Sequence, residues 1–431
     1  MSQIIRHPAS LGVFGLLAAM SASGQAEAAG FALREQSAEA LGNAYAGSTA
    51  KAYDISTIYY NPAGMARLEG SQTGGSVTWI MPTAEFDGVS TRGNGARNGG
   101  GTGGDAIMDA AVGATYALWD INPDWKLGVA VTAPFGLRSH YKSDWVGRYN
   151  ALTSNITNIN VSPSLSYRIN EHLSIGGGPQ IDYTSVTLSQ AIDFRAVGAN
   201  DGKMTVQGDS IGFGGDLGLL WEFDPTARVG LNYRSQVHHT IQGKARFEGI
   251  PTVGGLSTNP AFAYGTAEAT LTTPDTVSLG YYQDITPRWA VMSDLQWTQW
   301  STFRTLRIEY ANGRNPSVVE EHWRDTWFFS VGATYSTEDW GKFHFGTAYD
   351  QSAVKDAHRT ARIPDSNRYW LSFGYSYDFS PGNQLNFGYA HLFADKANIN
   401  DVSKTSLATN TLTGQYDSSV DIVSLGFNMK F

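Results

Sequence analysis

The two-residue alternation of the carboxy-terminal stretch "IVSLGFNMKF" constrains this chain more than any other feature. Val423, Leu425, Phe427, Met429 and Phe431 share one parity, and Ser424, Gly426, Asn428 and Lys430 the other. Successive side chains of a strand point to opposite faces, so this strand has one greasy face and one small or polar face. A strand of a soluble sandwich reads the same way. The alternation recurs in Leu127, Val129, Val131, Ala133 and Phe135, in Ile211, Phe213, Leu217, Leu219 and Trp221, and in Leu385, Phe387, Tyr389 and Phe393.

A second pattern joins such strands in pairs. Six short turns rich in Asn, Asp, Pro or Gly lie within 119–128, 167–176, 221–230, 282–291, 335–346 and 377–388. That chemistry makes tight hairpins, and the Trp and Tyr beside the turns suit a membrane interface. Longer polar stretches separate the pairs, at 83–104, 138–157, 190–207, 248–266, 311–322, 351–366 and 396–416. Short turns at one end and long loops at the other are the asymmetry of an outer-membrane barrel, with the short turns periplasmic. Six turns join twelve strands; one more near 71–86 and one near 413–431 make about fourteen. The expected fold is an all-β membrane protein, an antiparallel transmembrane β-barrel over residues 71–431.

The ends and the composition agree. Arg6 and His7, an apolar run from Ala9 to Ala22 and the small-x-small Ala26-Glu27-Ala28 read as an export signal over residues 1–28. The alternative, an uncleaved anchor, needs about 20 apolar residues. A terminal Phe431 is similar to the signal by which such barrels meet their assembly machinery, and outer-membrane lipid and lipopolysaccharide are expected surroundings. A net charge of −9 argues against a nucleic-acid partner, and the absence of Cys removes thiol chemistry and Cys-ligated zinc. His238-His239 lacks metal-ligand spacing, the Gly-rich 93–105 lacks the lysine ending of a phosphate loop, and no catalytic triad can be assembled. Neither cofactor, metal nor enzymatic activity is expected.

Residues 29–70 precede the first strand. They carry Phe31, Leu33, Leu41, Tyr45, Tyr53, Ile55, Ile58, Tyr59, Tyr60 and Met65, too apolar for a solvated tail. A barrel of this size has a lumen to fill or to conduct through, and a plug inside it is favoured. Within this segment Pro62 fixes its own φ and biases Asn61 away from helix, while Gly64 bends freely. An ordinary Asn-Pro turn and a segment that exchanges hydrogen bonds are both compatible with "NPAG".

The stretch "GFALREQSAEALGNAYAGSTAKAYDISTIYYNPAGMARL" (30–68) resembles the amino-terminal hatch of the FadL family (OMPP1/FadL/TodX), outer-membrane transporters of long-chain fatty acids and other hydrophobic compounds. "APFGL" (133–137), "WVGRYNA" (145–151), 273–303 and 348–377 match the same family. The resemblance implies a fourteen-stranded barrel plugged by its hatch. It also implies passive transport, by capture at extracellular loops, hatch rearrangement and lateral exit through a kinked third strand. Asn61, Pro62, Ala63 and Gly64 then become gating residues, and Phe31 and Tyr59 ligand-binding aromatics. Arg324, on lumen parity if Trp327, Phe329 and Val331 face lipid, is the leading cation for a carboxylate; a loop-base pair with Asp325 or Glu321 is the alternative. Arg148, Arg359, Arg362 and Arg368 are weaker candidates. Pro134, which cannot donate to a ladder, marks either a kink in the third strand or merely its end. Long-chain fatty acids are the leading cargo, aromatic hydrocarbons the second, and a general diffusion porin the competing class.

Overall fold

A computed structural model describes residues 30–405 and 407–431, so the expected export signal lies outside the described residues. Fourteen antiparallel strands close into one barrel. They are β1 (Gln72–Arg92), β2 (Ala110–Asp120), β3 (Trp125–Thr132, resuming at Gly136–His140), β4 (Thr153–Arg168), β5 (Leu173–Ile192), β6 (Gly202–Asp224) and β7 (Ala227–Arg234, resuming at Val237–Glu248). They continue as β8 (Gly265–Thr273 and Thr276–Asp284), β9 (Trp289–Thr298 and Thr305–Tyr310), β10 (Thr326–Ser336), β11 (Lys342–Asp350), β12 (Arg368–Ser380), β13 (Asn383–Ala394 and Ala397–Lys404) and β14 (Thr409–Lys430). A short Ser317–Glu320 segment pairs with the far half of β9. The ring closes where β14 pairs with β1 without a break, from Gln72 opposite Lys430 to Arg92 opposite Asn410. Closure pairs the first and last strands, which would otherwise be free edges.

The alternation separates lipid from lumen. Phe213, Leu217, Leu371 and Phe393 are exposed on the outer face, while Asn158, Asn160, Ser162, Ser164 and Ser166 of β4 are buried inside. All six expected turns join consecutive strands. Trp125 stacks beside Tyr167, and Trp289 beside Tyr335, at that end.

Two of the expected loops contain long stretches of strand. β1 runs to Arg92 rather than ending near 86, and 396–416 is mostly the far half of β13 and the start of β14. Their small polar residues hid the alternation. What extends the ladder is packing on its inner side, where Phe86, Tyr416, Leu412 and Ile399 form one buried cluster with Trp145.

Residues 31–68 contain little regular structure: helix α1 (Ala38–Gly42), helix α2 (Thr57–Tyr60) and a 3-10 turn (Pro62–Arg67). Ser37 caps α1 by accepting the Ala40 N–H at 3.2 Å. Nearly every residue of the segment is buried, and its partners are inward-facing residues of strands around the ring.

Candidate functional site

The amino-terminal segment fits the wall because the wall lacks side chains where the segment passes. A Cβ added to Gly218 of β6 would stand 2.0 Å from Asn61 Oδ1, one on Gly230 of β7 1.9 Å from the Thr49 carbonyl, and one on Gly346 of β11 2.1 Å from the Asn43 backbone. A Cβ on Gly128, Gly176, Gly280, Gly374 or Gly388 would stand 2.5 to 2.9 Å from the segment. Each of these glycines except Gly176 sits between outward-facing side chains of larger residues, as in Leu217-Gly218-Leu219. Sequence reading missed this belt, whose signal is a glycine at inward parity in strand after strand.

Asn61 does three things there. Its Oδ1 accepts the Ala63 N–H at 3.1 Å, capping the 3-10 turn, and its Nδ2 donates to the carbonyls of Thr49 at 2.8 Å and Leu219 at 3.0 Å. Pro62 occupies the first position of that turn, where no N–H is needed. A Cβ on Gly64 would lie 2.2 Å from Thr57 Oγ1. Asn61, Pro62, Ala63 and Gly64 thus wedge the segment against β5, β6 and β7 and do not line either cavity described below.

The segment also meets β3 at its interruption. Thr132 lies opposite Asn160 and Gly136 opposite Thr157, so four steps along β3 match three along β4. The extra residue is a bulge at Ala133-Pro134-Phe135. Pro134 therefore lies in the interruption between the two halves of β3. On the β2 side, pairing with β3 stops at Thr115 opposite Val131. Residues 31–36 take over the freed groups. Leu33 N–H donates to the Pro134 carbonyl at 2.7 Å and Gly136 N–H to the Phe31 carbonyl at 2.8 Å. The Gln36 amide holds Ala133 at both ends, Nε2 to its carbonyl at 3.0 Å and Oε1 from its N–H at 3.2 Å.

Above and below this contact lie two cavities. Phe31 is enclosed by Phe135, Trp300, Phe303 and Trp323, with ring centroids 4.7 to 6.0 Å away. Trp300 reaches it because a 3-10 turn, Trp300–Thr302, interrupts β9. On the long-loop side Phe31 and Phe303 help line a cavity whose other walls are Leu, Ile, Val and Ala, apart from Arg362, Glu321, Ser154, Thr270 and Gly208. On the other side Ala32, Leu33 and Tyr59 help line a second cavity that carries Arg34, Arg234, Asp182, Asp294, Gln180 and Gln296. Pro134 and Phe135 border it, so it abuts the kink.

Arg324 lines neither cavity. Trp327, Phe329 and Val331 do face outward, but the Arg324 guanidinium donates to the Ser352 carbonyl at 2.9 Å beside the strand base. Nor does it pair with Asp325 or Glu321: Asp325 accepts the Ser301 N–H and Glu321 the Trp323 indole. The cation in the apolar cavity is Arg362, from the loop that folds back over the barrel mouth. It donates to Gln190 Oε1 at 2.7 Å and, at 3.3 to 3.4 Å, to Ser154 Oγ and the carbonyls of Thr153 and Ser189. Among the described residues no carboxylate lies within 4.0 Å of it. Burial lowers its affinity for its proton, and burial raises Glu321 to about 8, so Glu321 is neutral at pH 7. The other weaker candidates are occupied: Arg148 pairs with Asp201, Arg359 with Asp356 and Arg368 with Asp350.

Comparison with known proteins bears on this arrangement. A family model described as outer membrane protein transport protein (OMPP1/FadL/TodX) matches residues 19–431. The long-chain fatty acid transport protein of Escherichia coli O6:H1 is 27% identical, over 88% of this chain and 90% of that protein. The crystal structure of a Pseudomonas aeruginosa FadL homologue superposes with a TM-score of 0.87 at 25% identity, covering 94% of this chain and 100% of that one. The Pseudomonas putida toluene transporter TodX shares the fold, with a TM-score of 0.68 at 16% identity over 94% of this chain and 100% of that one.

Proposed function

This chain belongs to the OMPP1/FadL/TodX family of outer membrane transport proteins, and from that premise we propose that its cargo is the long-chain fatty acid. As a member it is a transporter and not an enzyme, and its place is the outer membrane of a Gram-negative cell. The observation that carries the cargo assignment is Arg362, a buried cation with no carboxylate within 4.0 Å among the described residues, in a mostly apolar cavity. Burying an unpaired charge is costly, and a carboxylate arriving with its own alkyl chain removes that cost while filling the apolar walls. Arginine pairs with carboxylate through two parallel hydrogen bonds.

The contacts support the following route. The fatty acid enters from the long-loop side and lies against Phe31. Pushing Phe31 aside pulls on the four hydrogen bonds that residues 31–36 make to Ala133, Pro134 and Gly136. Their release frees the kink in β3, and the ligand leaves sideways between β2 and β3, where the wall ladder is already open. Residues 29–70 act as the hatch, and the wedge at Asn61 to Gly64 sets how far the hatch can move. The concentration gradient drives the passage.

Aromatic hydrocarbons are the second reading, favoured by the ring-lined partition around Phe31. The test is equilibrium binding of oleate and toluene to the purified barrel and to Arg362→Leu and Arg324→Leu. Saturable oleate binding that weakens in Arg362→Leu and not in Arg324→Leu supports the fatty acid. Toluene binding without oleate binding assigns the hydrocarbon. Oleate binding indifferent to Arg362 removes the carboxylate reading.

A further inference from the structure

The lower cavity contains hydrogen-bond donors with nothing to receive them. Arg234 is 8% exposed; its Nη2 donates to the Tyr59 carbonyl at 2.9 Å, and its Nη1 has no partner. Gln180 is 2% exposed; its Oε1 accepts from Asn160 at 3.2 Å, which fixes the amide's orientation and leaves Nε2 without a partner. Tyr45, also 2% exposed, has an unpartnered hydroxyl. All three line the same cavity. Gln180 of β5 lies opposite Gly214 of β6, and Arg234 of β7 lies opposite Asp216, two residues further along β6.

The acceptors of that cavity are already used. Asp182 accepts from Asn160 at 3.0 Å and lies 3.1 Å from His239, and Asp294 accepts from the Thr49 N–H at 3.1 Å and its hydroxyl at 2.6 Å. Arg34, the other cation, is held by Gln296 and lies 3.7 Å over the Phe328 ring. Asp216 is opposite Arg234 in register, yet does not line the cavity, and among the described residues no carboxylate comes within 4.0 Å of Arg234. A buried site with surplus donors and satisfied acceptors is complementary to an oxyanion.

We propose that the lower cavity is a second carboxylate site, in which Arg234, Gln180 and Tyr45 receive the head of the transported amphiphile after it leaves Arg362. The site lies beside Pro134 and Phe135, so a ligand anchored there has its chain next to the kink in β3. This rests on the carboxylate cargo argued above, and it divides the passage into two stations on either side of Phe31.

The test is the stoichiometry of radiolabelled oleate, with oleyl alcohol as the uncharged control, on the full barrel in detergent. Wild type binds two oleates. Arg234→Leu loses one of them, its affinity falling by about tenfold or more, and keeps its oleyl alcohol binding. Arg362→Leu loses the other. Folding is checked by heat-modifiable gel mobility, and Gln180→Leu serves if Arg234→Leu does not assemble. Oleate binding unchanged in both lower-cavity variants overturns the proposal. So does an equal loss of oleate and oleyl alcohol, which would mean packing. If Arg362→Leu alone has no effect, the upper reading fails and the Arg234 result still decides the lower site.

Discussion

The wall and the amino-terminal segment solve opposite problems with the same chain. In the wall, alternation satisfies the backbone by a ladder and sorts side chains to lipid or lumen. In residues 31–68 there is no ladder. The backbone is held by side chains such as Asn43, whose Nδ2 donates to the Ala333 carbonyl at 2.9 Å, and Arg228, whose Nε donates to the Ala50 carbonyl at 2.9 Å. A buried pair, Lys51 with Glu39 at 2.5 Å, lies within it. Three non-glycine residues there, Ala44, Tyr45 and Ala52, take left-handed backbone angles of φ 51°, 61° and 43°. Such positions persist only where surroundings enforce them. The wall satisfies its own backbone except at the interruption of β3, where residues 31–36 supply the partners, and the segment is held by the wall.

The sharpest way to break this comparison is to deny the segment its seat. Gly218→Val puts atoms where Asn61 lies, and overpacking of this kind costs about 1–3 kcal/mol or more. The barrel should assemble while small sugars begin to permeate liposomes that carry it. Leu217→Ile, one residue away on the lipid face, should leave them impermeable. A closed Gly218→Val barrel would mean that the belt does not position the segment.

Next in size is the cation. Losing a charge-assisted hydrogen-bonded pair costs about 1.5–3 kcal/mol, so Arg362→Leu should weaken oleate binding on the order of tenfold to a hundredfold, with toluene unaffected. The seam comes third. Gln36→Ala leaves both backbone groups of Ala133 without their partner, at about 1–3 kcal/mol. Hydrogen exchange of the Ala133 amide should then speed up by about tenfold or more, with the β1–β14 ladder unchanged as the internal standard. Exchange at wild-type rate would show that the segment does not hold the kink.

The smallest expected effect is in pH. Burial raises Glu321 to about 8, so below that value it is neutral and Arg362 is free to take an anion. As pH rises through 8, Glu321 ionises in the cavity that holds the ligand's head, and binding should weaken. A long-chain alkyl sulfonate, whose own charge is constant over this range, is the proper probe. Glu321→Gln should flatten the profile; a wild-type profile flat from pH 7 to 9 would remove Glu321 from the account.

How much was legible in the sequence follows the same division. The strands and their six turns were readable because period-two patterning and turn chemistry are local. Where the inner face packs against loops, as at Phe86 and Tyr416, polarity concealed strand as loop. The segment's burial was legible from its aromatics, but its seat was spread over many strands, one glycine at a time. Arg362 ranked below Arg324 because a strand-parity argument reaches only residues near a strand. Arg362 comes to Ser154 from 208 residues away, through a loop whose path no periodicity encodes. Both cavities are likewise products of closure, assembled from β3, β5, β7, β8 and β9 at once.

The central claim is that the segment seals the barrel to polar solutes while a fatty acid passes by a route through the wall. Its most direct test reconstitutes the wild-type protein in liposomes and follows, in one preparation, sugar entry by swelling and oleate transfer to an acceptor. The account predicts saturable oleate transfer with no sugar entry. Sugar entry at a porin's rate, with no saturable oleate transfer, would contradict it.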